Sequence, residues 1–469
     1  MLRLLFALLM IFSAAQLLAA DNKPAAPAGD VSYFKQIRPI FQAQCQGCHQ
    51  PAKQGGEYVM TTYEQMLKGG ESKEAAIVPG QPAKSALLTQ ITPKAGKAEM
   101  PKEKPPLSQT QIDLITAWIA QGAKDDTPMS NLQKYDMEHP PVYPAPPVIN
   151  SVDFSPDGKL LAIAGYHEVL LHEVPANAAE PTKLVARLVG LAERIEVAVF
   201  SPDGQKLAVC GGNPGRSGEL QIWDVPQRKL LQSIPAGYDT CYGANWSPDG
   251  KLVSVGCSDN TARAFNPETG AQKFFNLAHN DWVLDTVFGV KNDHLVTVSR
   301  DMSMKLMHIE TQRFIDNITS ITPGALKGGL NTVDRHPAKD EVLAGGSDGS
   351  VKIYKMYRDK ARQIGDDFNL IRAYPNLPGR VMSVAFSADG ALVAGCSSLD
   401  GKGQVMVAQT EDAKAVAKVD VPESGLFTIT FRPDAKTLAT AGFDGTVRLI
   451  DIASGSVVNK FVPVPVETK

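Results

Sequence analysis

The string Cys45-Gln46-Gly47-Cys48-His49 carries the most specific chemistry in the chain. Two thiols two residues apart can each add across a vinyl group of haem, and the adjacent imidazole can then reach the iron from the same side. An iron with one histidine ligand binds small molecules, whereas a second protein ligand turns the group into an electron carrier. Met60, Met66 and Met100 are the thioether candidates for that second ligand, with an open sixth site as the alternative. Met100 lies in Ala98-Glu99-Met100-Pro101, on a Lys/Pro-rich loop where the following proline stiffens the backbone. That setting favours Met100, and His/Met ligation raises the reduction potential.

Helices must present these groups. Apolar residues Tyr33, Ile37, Ile40 and Phe41 recur at helical spacing from Ser32 to Cys45, leading into the thiols. Short helices are expected over Tyr63 to Leu67 and Ser85 to Ile91. The clearest runs from Ser108 to Ala120, with Ser108 as N-cap, Ile112, Ile115, Trp118 and Ile119 as its apolar stripe, and Gly122 closing it. This stripe packs on the first helix or on the haem.

Several motifs follow in order: Cys45-x-x-Cys48-His49, Gly55-Gly56, Gly69-Gly70, Val78-Pro79-Gly80-Gln81-Pro82-Ala83-Lys84-Ser85-Ala86-Leu87, Met100-Pro101 and Trp118-Ile119-Ala120-Gln121-Gly122-Ala123. This series resembles the planctomycete-type cytochrome c domain. The resemblance implies one covalent haem c on Cys45 and Cys48, with His49 as proximal and Met100 as distal iron ligand. One departure is Gln50, where the family commonly has glycine.

Met1 to Ala20 reads as a signal peptide: Arg3, an apolar run from Leu4 to Leu18, then Leu18-Ala19-Ala20 before Asp21. The run is short for a spanning helix, which needs about 20 residues. The expected location is therefore periplasmic or otherwise extracytoplasmic, with no stable membrane insertion after cleavage. The 469 residues carry a net charge of −3, which makes no electrostatic case for nucleic acid. Proline crowds the stretch after Asp125, ending Pro140-Pro141-Val142-Tyr143-Pro144-Ala145-Pro146-Pro147, and reads as a stiff linker or surface strap. The boundaries are thus a signal peptide over 1–20, a cytochrome domain over 21–124, a linker over 125–147 and a repeat region over 148–463. Cys210, Cys241, Cys257 and Cys396 lie in apolar strand-like runs, which favours buried free thiols over bridges, although four cysteines allow three pairings.

The repeat region shows its period plainly. Phe154-Ser155-Pro156-Asp157-Gly158 returns as Phe200-Ser201-Pro202-Asp203-Gly204, Trp246-Ser247-Pro248-Asp249-Gly250, Phe386-Ser387-Ala388-Asp389-Gly390 and Phe431-Arg432-Pro433-Asp434. Weaker copies stand at Val287-Phe288 and at Val333-Asp334-Arg335-His336-Pro337. Each string is a tight turn between two strands, and the second strand is an apolar run ending in glycine, as in Leu438 to Gly442. The region resembles the WD40 family. Trp223-Asp224 is its one literal Trp-Asp, and Asp259, Asp301, Asp348 and Asp444 match its turn aspartate. His279 matches its Gly-His position, which implies a structural network between His279 and Asp301.

Together these readings predict a multidomain chain: a small all-α cytochrome c domain followed by an all-β, seven-bladed WD40-like propeller. The remaining histidines (His139, His167, His172, His294, His308 and His336) stand singly, without zinc-like spacing. The favoured function is electron transfer by one haem tethered to an interaction platform. A protein partner would dock on the propeller. A redox partner, acidic if charge steers it, would meet Lys94, Lys97, Lys102 and Lys104 near the Met100 loop. The alternatives are an oxidoreductase whose propeller holds a second cofactor, and a haem sensor with a labile sixth site.

Overall fold

The computed structural model describes residues 29–46, 48–50, 53–60, 63–102, 105–126, 135–237, 239–320, 327–361, 363, 365 and 367–467. The signal-peptide reading, Gly47 and Lys104 lie outside them. The chain divides into two compact units, one built from residues 1–44 and 66–128, the other from 45–65 and 129–469.

In the first unit, a π-helical turn over Tyr33–Ile37 runs into α1 (Arg38–Gln44), and Ser32 caps it by accepting from the Lys35 amide. Then come α2 (Tyr63–Lys68), which begins in the other unit, α3 (Ala86–Ile91) and α4 (Gln109–Ala120). Helix α4 forms where the sequence places it because Ser108 and Gln111 make a reciprocal capping box. Its stripe of Ile112, Ile115, Trp118 and Ile119 is buried. Trp118 stacks on Tyr33 with ring centroids 5.3 Å apart and meets Phe41 edge-on at 6.2 Å, so this helix packs on the first.

The all-α expectation for the N-terminal region fails. Beyond the π turn, the region holds 3-10 turns at Gly55–Glu57 and Pro82–Lys84 and an antiparallel pair, β1 (His49–Gln50) and β2 (Lys53–Gln54). His49 pairs with Gln54 and Gln50 with Lys53, and Gly56 adopts a left-handed φ of 62°, so the backbone after the second thiol folds back instead.

The second unit is overwhelmingly β. One sheet contains seven strands in chain order: β3 (Val152–Phe154), β4 (Leu160–Ala164), β5 (Tyr166–Glu173), β6 (Lys183–Phe200), β7 (Lys206–Asn213), β8 (Ser217–Asp224) and β9 (Lys229–Gly237). Five four-stranded antiparallel meanders follow. They run from β10 (Cys241–Trp246) to β13 (Gln272–Asn276), from β14 (Val283–Phe288) to β17 (Phe314–Asn317) and from β18 (Leu330–Arg335) to β21 (Leu370–Ala373). The last two run from β22 (Arg380–Phe386) to β25 (Ala415–Val421) and from β26 (Leu426–Phe431) to β29 (Ser456–Phe461). Among the described residues the region is therefore six sheets, not seven separate four-stranded blades, and the seven-bladed expectation is corrected. The cause is β6, whose 18 residues pair with β5 through their first half and β7 through their second. No proline or Asp-Gly turn interrupts Lys183 to Phe200, so nothing splits the strand.

The recurrent turns are built alike. In four of them the serine hydroxyl donates to the aspartate two residues on, at 2.6 to 2.7 Å, and the glycine takes a φ near +70° (Gly158, Gly204, Gly250, Gly390). Glycines ending the second strands leave room for a neighbour: a Cβ on Gly442 would stand 2.0 Å from the Gly425 carbonyl oxygen. The final strand, Ser456–Phe461, pairs with Val447–Asp451. Tyr143, from the proline-rich stretch, is 4% exposed; its hydroxyl donates to Glu168, which also accepts two bonds from Arg187. That end of the stretch is a strap held on the β region.

Candidate functional site

Cys45 follows directly on α1, and its carbonyl accepts from the amides of both Cys48 and His49 at 3.1 Å. This tight turn keeps both thiols and the imidazole on one short backbone loop. Neither Cys45 nor Cys48 is in a disulfide, and Cys48 is exposed. His49 Nδ1 lies 3.2 Å from the Tyr58 carbonyl oxygen, which can only accept, so Nδ1 carries the proton and Nε2 is the nitrogen left with a lone pair. The Tyr58 ring also packs on the imidazole, with centroids 5.4 Å apart. A Cβ on Gly55 would press on the Cys48 carbonyl oxygen at 3.2 Å and touch the His49 ring at ordinary van der Waals distance, 3.5 Å. The Gln46 amide donates to the Met60 carbonyl and the Met60 amide to the His49 carbonyl, closing the loop.

These residues fit a covalent haem: two cysteines at the required spacing, neither in a disulfide, and an imidazole oriented through its far nitrogen. Tyr58 is the site residue that sequence reasoning missed. A carbonyl acceptor leaves no side-chain signature, so only the fold reveals it.

Met100 belongs to the first unit, Cys45, Cys48 and His49 to the second. Met100 is half-buried, and its amide donates to the Gln90 carbonyl. Met60 and Met66 are enclosed, at 1% and 0% exposure. Lys94, Lys97 and Lys102 are exposed around Met100, with Lys94 and Lys97 bonded amide to carbonyl in both directions.

In the second unit the inner strands line a cavity of about 560 Å³, bordered by Asn150, Glu196, Tyr242, Asn331, Arg380 and Phe427 among others. Two tiers of side-chain bonds join these strands to their neighbours. Four residues before each turn, Ser151, Asp285, Thr332 and Thr428 accept from the amides of Ala198, Val333, Val384 and Val152 in the next inner strand. Two residues before the turn, Asp153 and Asp334 accept from Phe200 and Phe386. Burial pushes Asp153 and Asp285 up to about 7 and raises Asp334 and Glu196. At the cavity, Tyr242 stacks on Trp282 at 5.2 Å, and the Arg300 guanidinium lies 4.5 Å over the Trp282 ring.

The expected network at His279 is present. Its Nδ1 lies 2.9 Å from Asp301, and its Nε2 lies 2.7 Å from the Thr297 hydroxyl. The turn aspartates Asp259, Asp348 and Asp444 each accept the amide two residues on. Not all the other histidines stand alone: His294 faces His308 across two strands, with ring centroids 5.0 Å apart. Among the described residues, however, no three His, Cys, Asp or Glu side chains converge as a metal site.

Comparison with known families now bears on both regions. Residues 45–104 match the family described as Planctomycete cytochrome C. Residues 228–266, 372–405 and 414–451 match the WD domain, G-beta repeat. The chain joins a cytochrome c-like domain to a β-propeller region of WD40 repeats. Among curated proteins it is similar to Periodic tryptophan protein 2 of Arabidopsis thaliana, 25% identical over 51% of this chain and 25% of that protein. Coronin-7 of Mus musculus is 24% identical over 45% of this chain and 23% of its own length. Protein tipD of Dictyostelium discoideum is 21% identical over 59% and 43%. The chain thus spans less than half the length of each of these relatives.

Proposed function

We propose that the protein is an exported electron-transfer cytochrome carrying one haem c, with its WD40 region docking the protein that the haem serves. The observation that carries this reading is His49, held by the Tyr58 carbonyl on the same short turn as Cys45 and Cys48. Cys45 and Cys48 would hold the group as thioethers and His49 would ligate its iron. Bound there, haem supplies one-electron oxidation and reduction. Tyr58 keeps the imidazole in one tautomer and orientation. Met100 is the proposed distal ligand, because its thioether sits on an irregular loop while Met60 and Met66 are core side chains. The leader over Met1 to Ala20 suits delivery to the compartment where thioethers form.

The test is expression of the full chain with a cytochrome c maturation system. The expected product keeps peroxidase-active staining in a denaturing gel and exceeds the apoprotein mass by one haem. Its spectrum is low-spin, with a far-red Met–iron charge-transfer band that Met100→Ala removes and Met60→Ala keeps. Haem-free exported protein overturns the whole reading; a band that survives Met100→Ala overturns only the distal ligand.

A further inference from the structure

Strand β10 begins with Cys241, and its register partner across the antiparallel ladder is Cys257. Directly opposed residues in such a ladder have Cα atoms about 4.5 to 5.5 Å apart, inside the window that a disulfide spans. The two Sγ atoms lie 3.7 Å apart, at van der Waals contact. Both residues are buried, at 0% and 1% exposure. A third thiol, Cys210, faces the Cys241 carbonyl oxygen at 3.8 Å, while Cys257 faces the Ala236 carbonyl at 3.7 Å. The pair also sits at a point of consequence. The register shifts between Cys241 and Gly243, so Tyr242 is the extra residue of a bulge. Tyr242 lines the inner cavity and stacks on Trp282.

We propose that Cys241 and Cys257 form a disulfide that staples the first two strands of this sheet and fixes the bulge presenting Tyr242 to the cavity. The oxidant is a low-molecular-weight disulfide, RSSR. The thiolate of one cysteine attacks RSSR, breaking its S–S bond and releasing one RSH. The second cysteine then attacks the mixed disulfide, forming the Cys241–Cys257 bond and releasing a second RSH. Two thiols lose two electrons and two protons, and RSSR gains both. The bond forms while the chain folds, since the finished structure buries both sulfurs, and the Cys257 contact together with burial pushes the Cys241 thiol well up, suppressing its thiolate. The inference is independent of haem binding.

The full chain is unfolded with reductant, refolded in oxidised and reduced glutathione, alkylated under denaturing conditions without reductant, and mapped by peptide mass spectrometry. The expected result is one linked peptide pair joining Cys241 to Cys257, lighter than the two free thiols by two hydrogens, with Cys210 and Cys396 alkylated. Peptide mapping separates any Cys45–Cys48 link from this one. Cys210→Ser should keep the Cys241–Cys257 link, and Cys257→Ser should abolish it without a new link to Cys210. Recovery of Cys241 and Cys257 as alkylated thiols in the wild-type chain overturns the proposal, as does a link that includes Cys210. The wild-type measurement decides the matter even if a serine variant fails to fold.

Discussion

At the scale of single residues, Asp301 shows how much one carboxylate can hold. It accepts from the amides of Asn280 and Ser303 and from the Ser303 hydroxyl, and it faces His279 Nδ1. The His279 side chain is itself wholly buried, so its partners cannot be replaced by water. Those bonds hold the Asp301 carboxyl far below the usual carboxylate range despite its burial. Asp301→Ala leaves the buried His279 Nδ1 with only the Ser303 hydroxyl, 3.2 Å away, removes the acceptor of the Asn280 and Ser303 amides, and should cost about 2 to 4 kcal/mol by urea unfolding. A loss below about 0.5 kcal/mol, within the range of an ordinary surface change, would show the network to be redundant. The sequence suggested this pairing through repeat position alone. It could not suggest Tyr58, whose part is played by a backbone oxygen, nor Asp153 and Asp334, which occupy one repeat position filled elsewhere by Val199, Asn245 and Ala385.

At the scale of elements, the loop between α3 and α4 is the most informative. Among the described residues of this loop Lys94, Lys97 and Lys102 are exposed, as is the acid Glu99. If Met100 is the haem ligand proposed above, this basic loop borders the redox centre and steers an acidic partner by long-range attraction. Replacing the three lysines by glutamine should slow reduction of the haem by its partner at low ionic strength, and the difference should vanish at high salt, where screening shortens the field. A rate unchanged at low salt removes the steering role. Elements whose signals are local were legible in advance: the Ser108 cap and apolar stripe of α4, and the Ser-Pro-Asp-Gly turns with their left-handed glycines. Elements set by what fails to stop a chain were not. Nothing in Lys183 to Phe200 marks where one sheet ends, so period counting split a strand that runs through. The β1–β2 pair is too short to show an alternation of period two.

At the scale of the whole molecule, the inner strands place acids where water is scarce, and this fixes how stability varies with pH. Asp153 and Asp285 hold their protons to about 7 because burial disfavours the charged form, against the amides that favour it. In the unfolded chain the same groups lose their protons near the ordinary carboxylate value of about 4. Between these limits the folded state binds more protons than the unfolded one, so stability falls as pH rises from about 4 to about 7 and levels off above that. Each carboxyl contributes a decline on the order of a few kcal/mol over that window. Groups with the opposite shift act lower down. Glu423, held near 2 by bonds from Lys460 and Arg448, and Asp301 add stability as pH rises toward about 4 and lose it as pH falls. Asp153 and Asp285 thus contribute a descending component between about pH 4 and about pH 7, joined by Asp334 and Glu196 and opposed by His167, His172 and His336, whose burial lowers their pKa. Asp153→Asn with Asp285→Asn should keep an oxygen for the amides of Phe200 and Val333 while removing the titration. The double variant's urea midpoint should gain on the wild type's as pH rises from about 4.5 through about 5.5 to about 7. A difference between the two proteins that stays constant over that range would mean that the two inner aspartates are charged in the fold, stabilised by the same amides that join one sheet to the next.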